Sequence, residues 1–567
     1  MSTTPSSTLP SCSDLPPVAL IAIGVMLVAG CYHPSARDCK VRCGEGNVCP
    51  GSAICSNGLC TSGPACEAPL APLTTCNNEC TPVAPSVVRC RGNARARCDV
   101  NGWVPEGVCD GDTPVCVDGS CAACVPGSTR CFDGCQQTCA TASWQTVTPC
   151  SPCAPRSVDR VLATGWSHAC VILATGGVTC WGGNDHGQLG LGHTSNLGDD
   201  EDLRDVPAAR RQVDLGPTPV SALAAGGRHT CALLDDGRVK CWGDNGNGQL
   251  GLGDANHRGD DPGEMGDALP AVDLGTGRRA LSIAAGGTHT CAVLDDGSVK
   301  CWGANTRGQL GLGDLRARGG AACEMGDALR PLELVGRATA VTAAAFHTCA
   351  LMEAGTISCW GANGAGQLGS GSTAASARPQ PLGLTTMAVS VVAGHSFTCA
   401  SFEDGGFRCW GSNVSGQLGQ GTIEDQKDAT RAFNVPLGAG AVIRTVVVGY
   451  SHLCALADAG WVKCWGLANF GQLGRGDVEN QGDDESIAAL APVALGTTTN
   501  AVPLRAAALA AGGDHTCVLL DGGLVKCWGE NAFGQLGYGD REHRGDEGDE
   551  MGDALPSVSL PAPVAGF

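Results

Sequence analysis

Gly227-Arg228-His229-Thr230-Cys231-Ala232-Leu233-Leu234-Asp235-Asp236-Gly237-Arg238-Val239-Lys240-Cys241-Trp242-Gly243, followed by Asn245 and Gly248-Gln249-Leu250-Gly251, is the stretch on which the fold turns. Asp235-Asp236-Gly237 reads as a three-residue hairpin loop, with the glycine taking the left-handed position that side chains with a Cβ avoid. Pairing outward from the loop sets Leu234 opposite Arg238, Leu233 opposite Val239 and Cys231 opposite Cys241. Opposed residues of an antiparallel pair hold their Cβ atoms about 4.5–5.5 Å apart, and the closer kind approaches disulfide geometry. The spacing therefore predicts a cross-strand disulfide.

The Cys-x9-Cys-Trp-Gly core occurs seven times, at intervals of 50–63 residues, and every copy carries Gly-Gln-Leu-Gly downstream. Seven hairpins then predict seven disulfides: Cys170–Cys180, Cys231–Cys241, Cys291–Cys301, Cys349–Cys359, Cys399–Cys409, Cys454–Cys464 and Cys517–Cys527. Each closes a short loop, worth about 2–3 kcal/mol in the chain-entropy account. The second unit offers strands at about 212–215, 220–226, 229–235 and 238–244. Four short antiparallel strands repeated seven times suit the blades of a β-propeller, so residues 155–567 are expected to form an all-β, seven-bladed ring. The first unit lacks the strand seen as Val272-Asp273-Leu274, and the chain ends with a matching Ser557-Val558-Ser559-Leu560. That C-terminal strand is expected to complete the first blade and remove an open edge.

Gly-x-x-His-x-x-Ala-Leu, then Gly-x-Val-x-x-Trp-Gly-x-Asn-x-x-Gly-Gln-Leu-Gly, resembles the regulator of chromosome condensation repeat family across about 410 residues. The resemblance implies a seven-bladed propeller, in agreement with the repeat count. It also implies guanine-nucleotide exchange on a small GTPase, the activity of the nuclear founder. Blade six departs from the pattern with Ala468 in the asparagine slot and Asn469 one place later. Blade five has Phe397 in the histidine slot and His395 two places earlier.

Before the repeats lies a different kind of sequence. Val18 to Gly30 is an apolar run too short to span a bilayer, and it ends in Leu27-Val28-Ala29-Gly30-Cys31, which resembles a bacterial lipobox. Residues 1–30 are expected to be a signal peptide and Cys31 a lipidation site, although residues 1–17 contain no Lys or Arg. A cleaved secretory signal without lipid is the alternative. Nineteen further cysteines precede Ala154, so 31–154 is expected to be a disulfide-rich, loop-rich module with little core. Within it, Cys90-x7-Cys98-x4-Trp103-x5-Cys109 is duplicated as Cys131-x7-Cys139-x4-Trp144-x5-Cys150. The CxxC pairs Cys121–Cys124 and Cys150–Cys153 could hold zinc, but they sit inside this denser cysteine field. Thirty-six cysteines in ordered spacings favour an oxidising compartment, so the expected place is the cell envelope, lipid-anchored or secreted.

Candidate sites are few. Six histidines, at 168, 229, 289, 347, 452 and 515, stand two residues before the first cysteine of their blades. Placed on separate blades they would lie too far apart to share one ion, so they are expected to hydrogen-bond neighbouring backbone. The Cys-Trp-Gly tryptophans are expected to pack between blades. Acidic insertions follow several Gly-Gln-Leu-Gly turns, the fullest running from Arg258 to Pro270. Asp260, Asp261, Glu264 and Asp267 offer oxygen ligands for calcium, although the spacing is not that of an EF-hand and a hydrated polar loop is the commoner explanation. These loops are the expected partner surface. Cys323 is left over after the seven pairs, and a bridge to the N-terminal module is one way to use it.

A net charge of −20 excludes nucleic-acid binding and electrostatic docking on anionic lipid. No HExxH, phosphate loop or nucleophile elbow occurs, and three tyrosines in plain settings do not make a sialidase site, so no enzymatic activity is expected. The functional expectation is a monomeric, exported, surface-anchored propeller that binds an extracellular protein or glycan. A secreted enzyme inhibitor and a GTPase-directed exchange factor are the alternatives.

Overall fold

The computed structural model describes residues 161–438 and 440–564, together with the backbone of eleven short strands between Val41 and Thr146. The signal segment 1–30, the lipidation candidate Cys31 and the disulfides expected within 31–154 lie outside the described residues. The chain divides into two compact units, Met1–Cys153 and Ala154–Phe567. Among the described residues no helix is long and apolar enough to cross a membrane.

In the first unit the sequence duplication has a structural counterpart. Val88–Arg91, Ala94–Asp99 and Gly102–Val108 form one antiparallel three-stranded sheet, and Thr129–Phe132, Cys135–Ala140 and Ser143–Thr146 form another. Cys98 pairs with Trp103 in one and Cys139 with Trp144 in the other, so the two copies share a register.

The second unit is all-β, with seven antiparallel sheets in chain order. In blade two the inner strand Val220–Ala225 pairs with His229–Leu234, which pairs with Val239–Gly243. Cys231 faces Cys241, Gly237 turns the hairpin at φ +81°, and the second and third strands are buried along their whole length. Disulfides join Cys170–Cys180, Cys231–Cys241, Cys291–Cys301, Cys349–Cys359, Cys399–Cys409, Cys454–Cys464 and Cys517–Cys527. These are the pairs the hairpin register dictates.

Two expectations about strand assignment are corrected. Gln212–Val213 pairs with the third strand of blade one, so it is the outer strand of the preceding blade and not the first of its own. Every later linker does the same with at least one bond, as when Val272 N–H donates to Val239 C=O. The C-terminal Ser557–Leu560 segment follows this rule: Val558 N–H donates to Val525 C=O, which places it on blade seven, not blade one. Closure uses the next few residues instead. Val564 pairs with Leu173, and Ala174 N–H donates to Pro563 C=O. In blade two the equivalent residues are Pro219 and Val220, followed by a β-bulge between Val220 and Ala222. Blade one is thus assembled from both ends of the repeat region, and its chain break falls where the other six blades carry a bulge.

The seams between blades repeat one arrangement. Each blade's tryptophan is fully buried and donates its indole N–H to the glutamine carbonyl of the preceding Gly-Gln-Leu-Gly turn: Trp242 to Gln188, and so on round to Trp181 to Gln535. A buried indole needs such a partner. The last of these bonds closes the ring. Each turn also rests on the next insertion, as when Gly192 N–H donates to Gly259 C=O and Gly539 N–H to Gly198 C=O.

Candidate functional site

The histidines serve the seams. His168 Nε2 lies 2.9 Å from Thr230 Oγ1, and that hydroxyl donates to Gln188 C=O at 3.0 Å. A hydroxyl has one hydrogen, so with that proton given to the carbonyl it must accept from the imidazole, which fixes the Nε2–H neutral tautomer. The same relay joins His229 to Thr290, His289 to Thr348, His347 to Thr398 and His452 to Thr516. The bond crosses to the next blade's side chain rather than to local backbone, which corrects the expectation. Burial holds these imidazoles far below their ordinary pKa, at about 3 for His168, His289, His347, His452 and His515 and about 4 for His229. Buried, neutral and each on its own seam, they are no metal ring.

The calcium candidates do not converge. Glu264 Oε2 accepts from the backbone N–H groups of Gly259 and Asp261, which spends it on shaping its own loop. Beside Asp267 the cationic position is already taken: Lys240 Nζ donates to the carbonyls of Leu215 and Gly266 at 3.0 and 2.7 Å. Lys300, Lys463 and Lys526 repeat this device, so lysine in the Val-Lys-Cys-Trp motif pins the insertion from within. Asp260, Asp261, Glu264 and Asp267 are therefore parts of a seam, and the geometry gives calcium no shared seat. Cys323 is exposed, with no disulfide among the described residues.

His186, Asp244 and His257 do bring three ligand atoms within 4.8 Å of one another at the seam of blades one and two. However, His257 Nδ1 accepts from Asn245 N–H at 3.0 Å, so its lone pair is committed. Blades six and seven show the same edge-on contact between Phe470 and His543, with Asn531 N–H donating to His543 Nδ1. A phenylalanine serves equally well in His186's place. The trio is aromatic packing.

What breaks the repeat is the axis. Where the inner strand turns into the second, blades two, three and seven carry Gly227, Gly287 and Gly513, and blade four carries Ala345. The same position holds Trp166 in blade one, His395 in blade five and Tyr450 in blade six. These three line a small axial cavity of about 90 Å³ whose remaining wall is mostly glycine and alanine. Their rings form a continuous arc: Trp166 to Tyr450 at 5.4 Å, Tyr450 to His395 at 5.1 Å, and His395 to Phe346 at 5.8 Å. Glycine is needed opposite the arc. A Cβ on Gly227 would stand 2.5 Å from the Gly287 carbonyl oxygen and 3.0 Å from the Trp166 indole, and one on Gly287 3.0 Å from the Ala345 carbonyl oxygen and 3.1 Å from the same indole.

Charge gathers on the other side of Tyr450. Asp514 and Glu530 of blade seven are partly buried, and that burial raises both carboxyl pKa values, with the charge of Asp514 adding to the rise of Glu530. Gln472 Nε2 donates to Asp514 at 3.1 Å and Gln535 Nε2 to Glu530 at 3.2 Å. Arg228 lies 3.7 Å from Asp185, and both are half-exposed. Burial raises the Tyr450 hydroxyl pKa and lowers that of His395, so both rings are neutral near pH 7. Sequence reasoning registered His395 only as a displaced histidine and found nothing suggestive about Tyr450. The signal was there: bulky residues in a slot that glycine fills elsewhere.

Comparison with known proteins agrees with this architecture. The RCC1-like domain matches residues 133–479, and regulator of chromosome condensation (RCC1) repeats match 460–519 and 506–535. The ultraviolet-B receptor UVR8 of Arabidopsis thaliana is 31% identical over 396 residues, covering 69% of this chain and 81% of its own. The human probable E3 ubiquitin-protein ligase HERC3 is 32% identical over 223 residues, 38% of this chain but only 19% of that protein. Among solved structures, human WBSCR16 aligns with a TM-score of 0.52 at 20% identity, covering 67% of this chain and 93% of its own. Yeast RCC1 (Prp20), solved with Kap60, aligns with a TM-score of 0.51 at 19% identity, covering 71% and 86%. At such identities these two structures speak for the fold.

Proposed function

This chain belongs to the RCC1-repeat family, and from that premise we propose that it is a non-catalytic binding scaffold of the cell envelope, engaging a protein partner through the axial end that carries Trp166, Phe346, His395 and Tyr450. One observation carries the reading. A ring whose seven seams share one indole-to-glutamine bond departs from its repeat at one axial mouth, with half-exposed aromatic and charged groups that the seams do not use. Departures from a rigid repeat are where recognition is placed, because the frame is stabilised elsewhere.

Two relatives point the same way, since UVR8 is named as a receptor and yeast RCC1 was solved bound to a protein, Kap60. Seven hairpin disulfides support an oxidising compartment, where such bonds persist. Lipid attachment at Cys31 rests on the lipobox-like residues alone.

Two experiments test the reading. Alkylation of unreduced protein unfolded in denaturant should leave the fourteen hairpin cysteines unmodified; ready modification of them rejects the envelope. Capture of surface proteins from intact source cells should be lost with Phe346→Ala plus Arg228→Ala and kept with Arg279→Ala. Equal capture by both variants rejects the axial face.

A further inference from the structure

We propose that the axial mouth is a binding site for an alkylammonium group, and that its occupant is a lysine-type side chain presented by a peptide. The inference deepens the scaffold reading above and rests on it for the peptide.

The walls set the chemistry. Trp166, Tyr450 and His395 line an open cavity of about 90 Å³, which suits the end of one side chain. Aromatic faces carry negative potential and attract cations, tryptophan most strongly. The His395 ring is held neutral, so it does not repel a positive guest. Asp514, Glu530 and Arg228 all act electrostatically on Tyr450, and Arg228 is matched by Asp185, which leaves two carboxylates in excess among these described residues. Arg228 already faces Asp185, and among the described residues the side chains of Asp514 and Glu530 accept from neutral glutamine amides. Their raised carboxyl pKa values are the mark of buried acids that lack a counter-charge. A cation entering beside Tyr450 supplies it.

The arc is not explained as core. Phe346 remains 38% exposed, and blades two, three, four and seven close the slot of Trp166, His395 and Tyr450 with glycine or alanine. Packing alone would call for no carboxylates beside the rings. An anionic or neutral guest would face the excess acid, and the net charge of −20 steers cations towards the molecule. Among cations, a compact ammonium on an alkyl stem fits a narrow aromatic mouth with its charge towards Asp514 and Glu530.

The probe is choline chloride, followed on the full chain by the ring-current shift of its N-methyl proton signal, with uncharged 3,3-dimethylbutan-1-ol as the isostere. Choline should saturate with an upfield shift, and the neutral isostere should bind at least about tenfold more weakly. Asp514→Asn with Glu530→Gln should weaken choline about tenfold. Trp166→Gly installs the residue that blades two and three use, so the ring should still close, and it should abolish the shift. Equal binding of the isostere, or unchanged affinity in the double carboxylate variant, overturns the site. So does a retained shift in a Trp166→Gly protein whose thermal unfolding matches wild type.

The peptide arm uses Gly-Gly-Lys-Gly-Gly against the same peptide with norleucine for lysine. Preference for lysine, lost in Trp166→Gly, supports the peptide occupant, and choline binding with no such preference overturns it. Surface-protein capture depends on Phe346 and Arg228, so a failed ammonium titration with intact capture rejects the cage and leaves the scaffold standing.

Discussion

Two seams of the ring depart from the histidine–threonine relay, and they do so differently. Between blades five and six the histidine is replaced by Phe397 and the facing threonine by Leu453, both fully buried in one apolar cluster. Between blades seven and one the histidine remains as His515, but the threonine position holds Ala169. His515 Nε2 is accordingly buried without a partner. One seam exchanged both members of a polar pair for apolar ones, which costs little. The other lost one member, which leaves a desolvated donor. The second departure sits at the closure seam, where the two ends of the repeat region meet.

The largest expected effect comes from titrating the relay as a whole. Six buried imidazoles have folded pKa values of about 3 to 4 against 6.5 for the exposed group. The unfolded chain therefore binds more protons throughout that window, so stability is complete above about pH 6.5 and drains away as pH falls towards 3. Urea midpoints measured from pH 7.5 to 4 should fall steadily, and His515→Phe should make the slope shallower. The raised carboxyls of Asp514 and Glu530 act in the opposite sense, but two groups do not outweigh six. A midpoint flat across the range counts against neutral histidines in the seams.

Next in size is Phe397→His, which places an imidazole against Leu453 with nothing to bond. A loss of about 2–4 kcal/mol in urea unfolding is expected. Adding Leu453→Thr should recover more than half, a coupling that a double-mutant cycle reads directly. Without recovery, the two residues are not a matched pair.

Smaller again is Thr230→Val in an ordinary seam. It keeps the shape but orphans His168 Nε2 and the Gln188 carbonyl contact, for about 1–3 kcal/mol. The smallest effect has the opposite sign. Ala169→Thr should stabilise by about 1 kcal/mol by giving His515 its hydroxyl. That gain should vanish in a His515→Phe background, and a gain that persists there must come from something other than the relay.

Much of the propeller was legible in one unit. The interval from Cys231 to Cys241 with Gly237 between them dictates the hairpin register, and hence the disulfide, because both depend on residues within one turn of chain. The N-terminal duplication was equally local, and Cys98 with Trp103 shows the register that Cys139 and Trp144 repeat. The outer strands were not legible. Gln212–Val213 could pair with its own unit or the one before, and sequence order alone does not choose. Asn469 shows the same limit in reverse: it stands next to the empty slot at Ala468 yet is exposed, so proximity in sequence did not restore the missing contact.

The candidate site was less legible still. Trp166, Phe346, His395 and Tyr450 are far apart in sequence, in blades one, four, five and six, and each is a single substitution within its own repeat. Only convergence on the axis makes them an arc. Likewise Asp267 reads as a calcium ligand until Lys240 is seen filling the place beside it.

The sequence by itself determined seven hairpins, their disulfides and the family to which they belong, since each rests on spacing within about 25 residues of chain. The tertiary structure alone decided which blade owns each outer strand, where Val564 closes the ring, which threonine each histidine meets and what gathers at the axis. The reason is that equivalent repeats offer equivalent partners, and only adjacency across a seam or around the axis selects one of them.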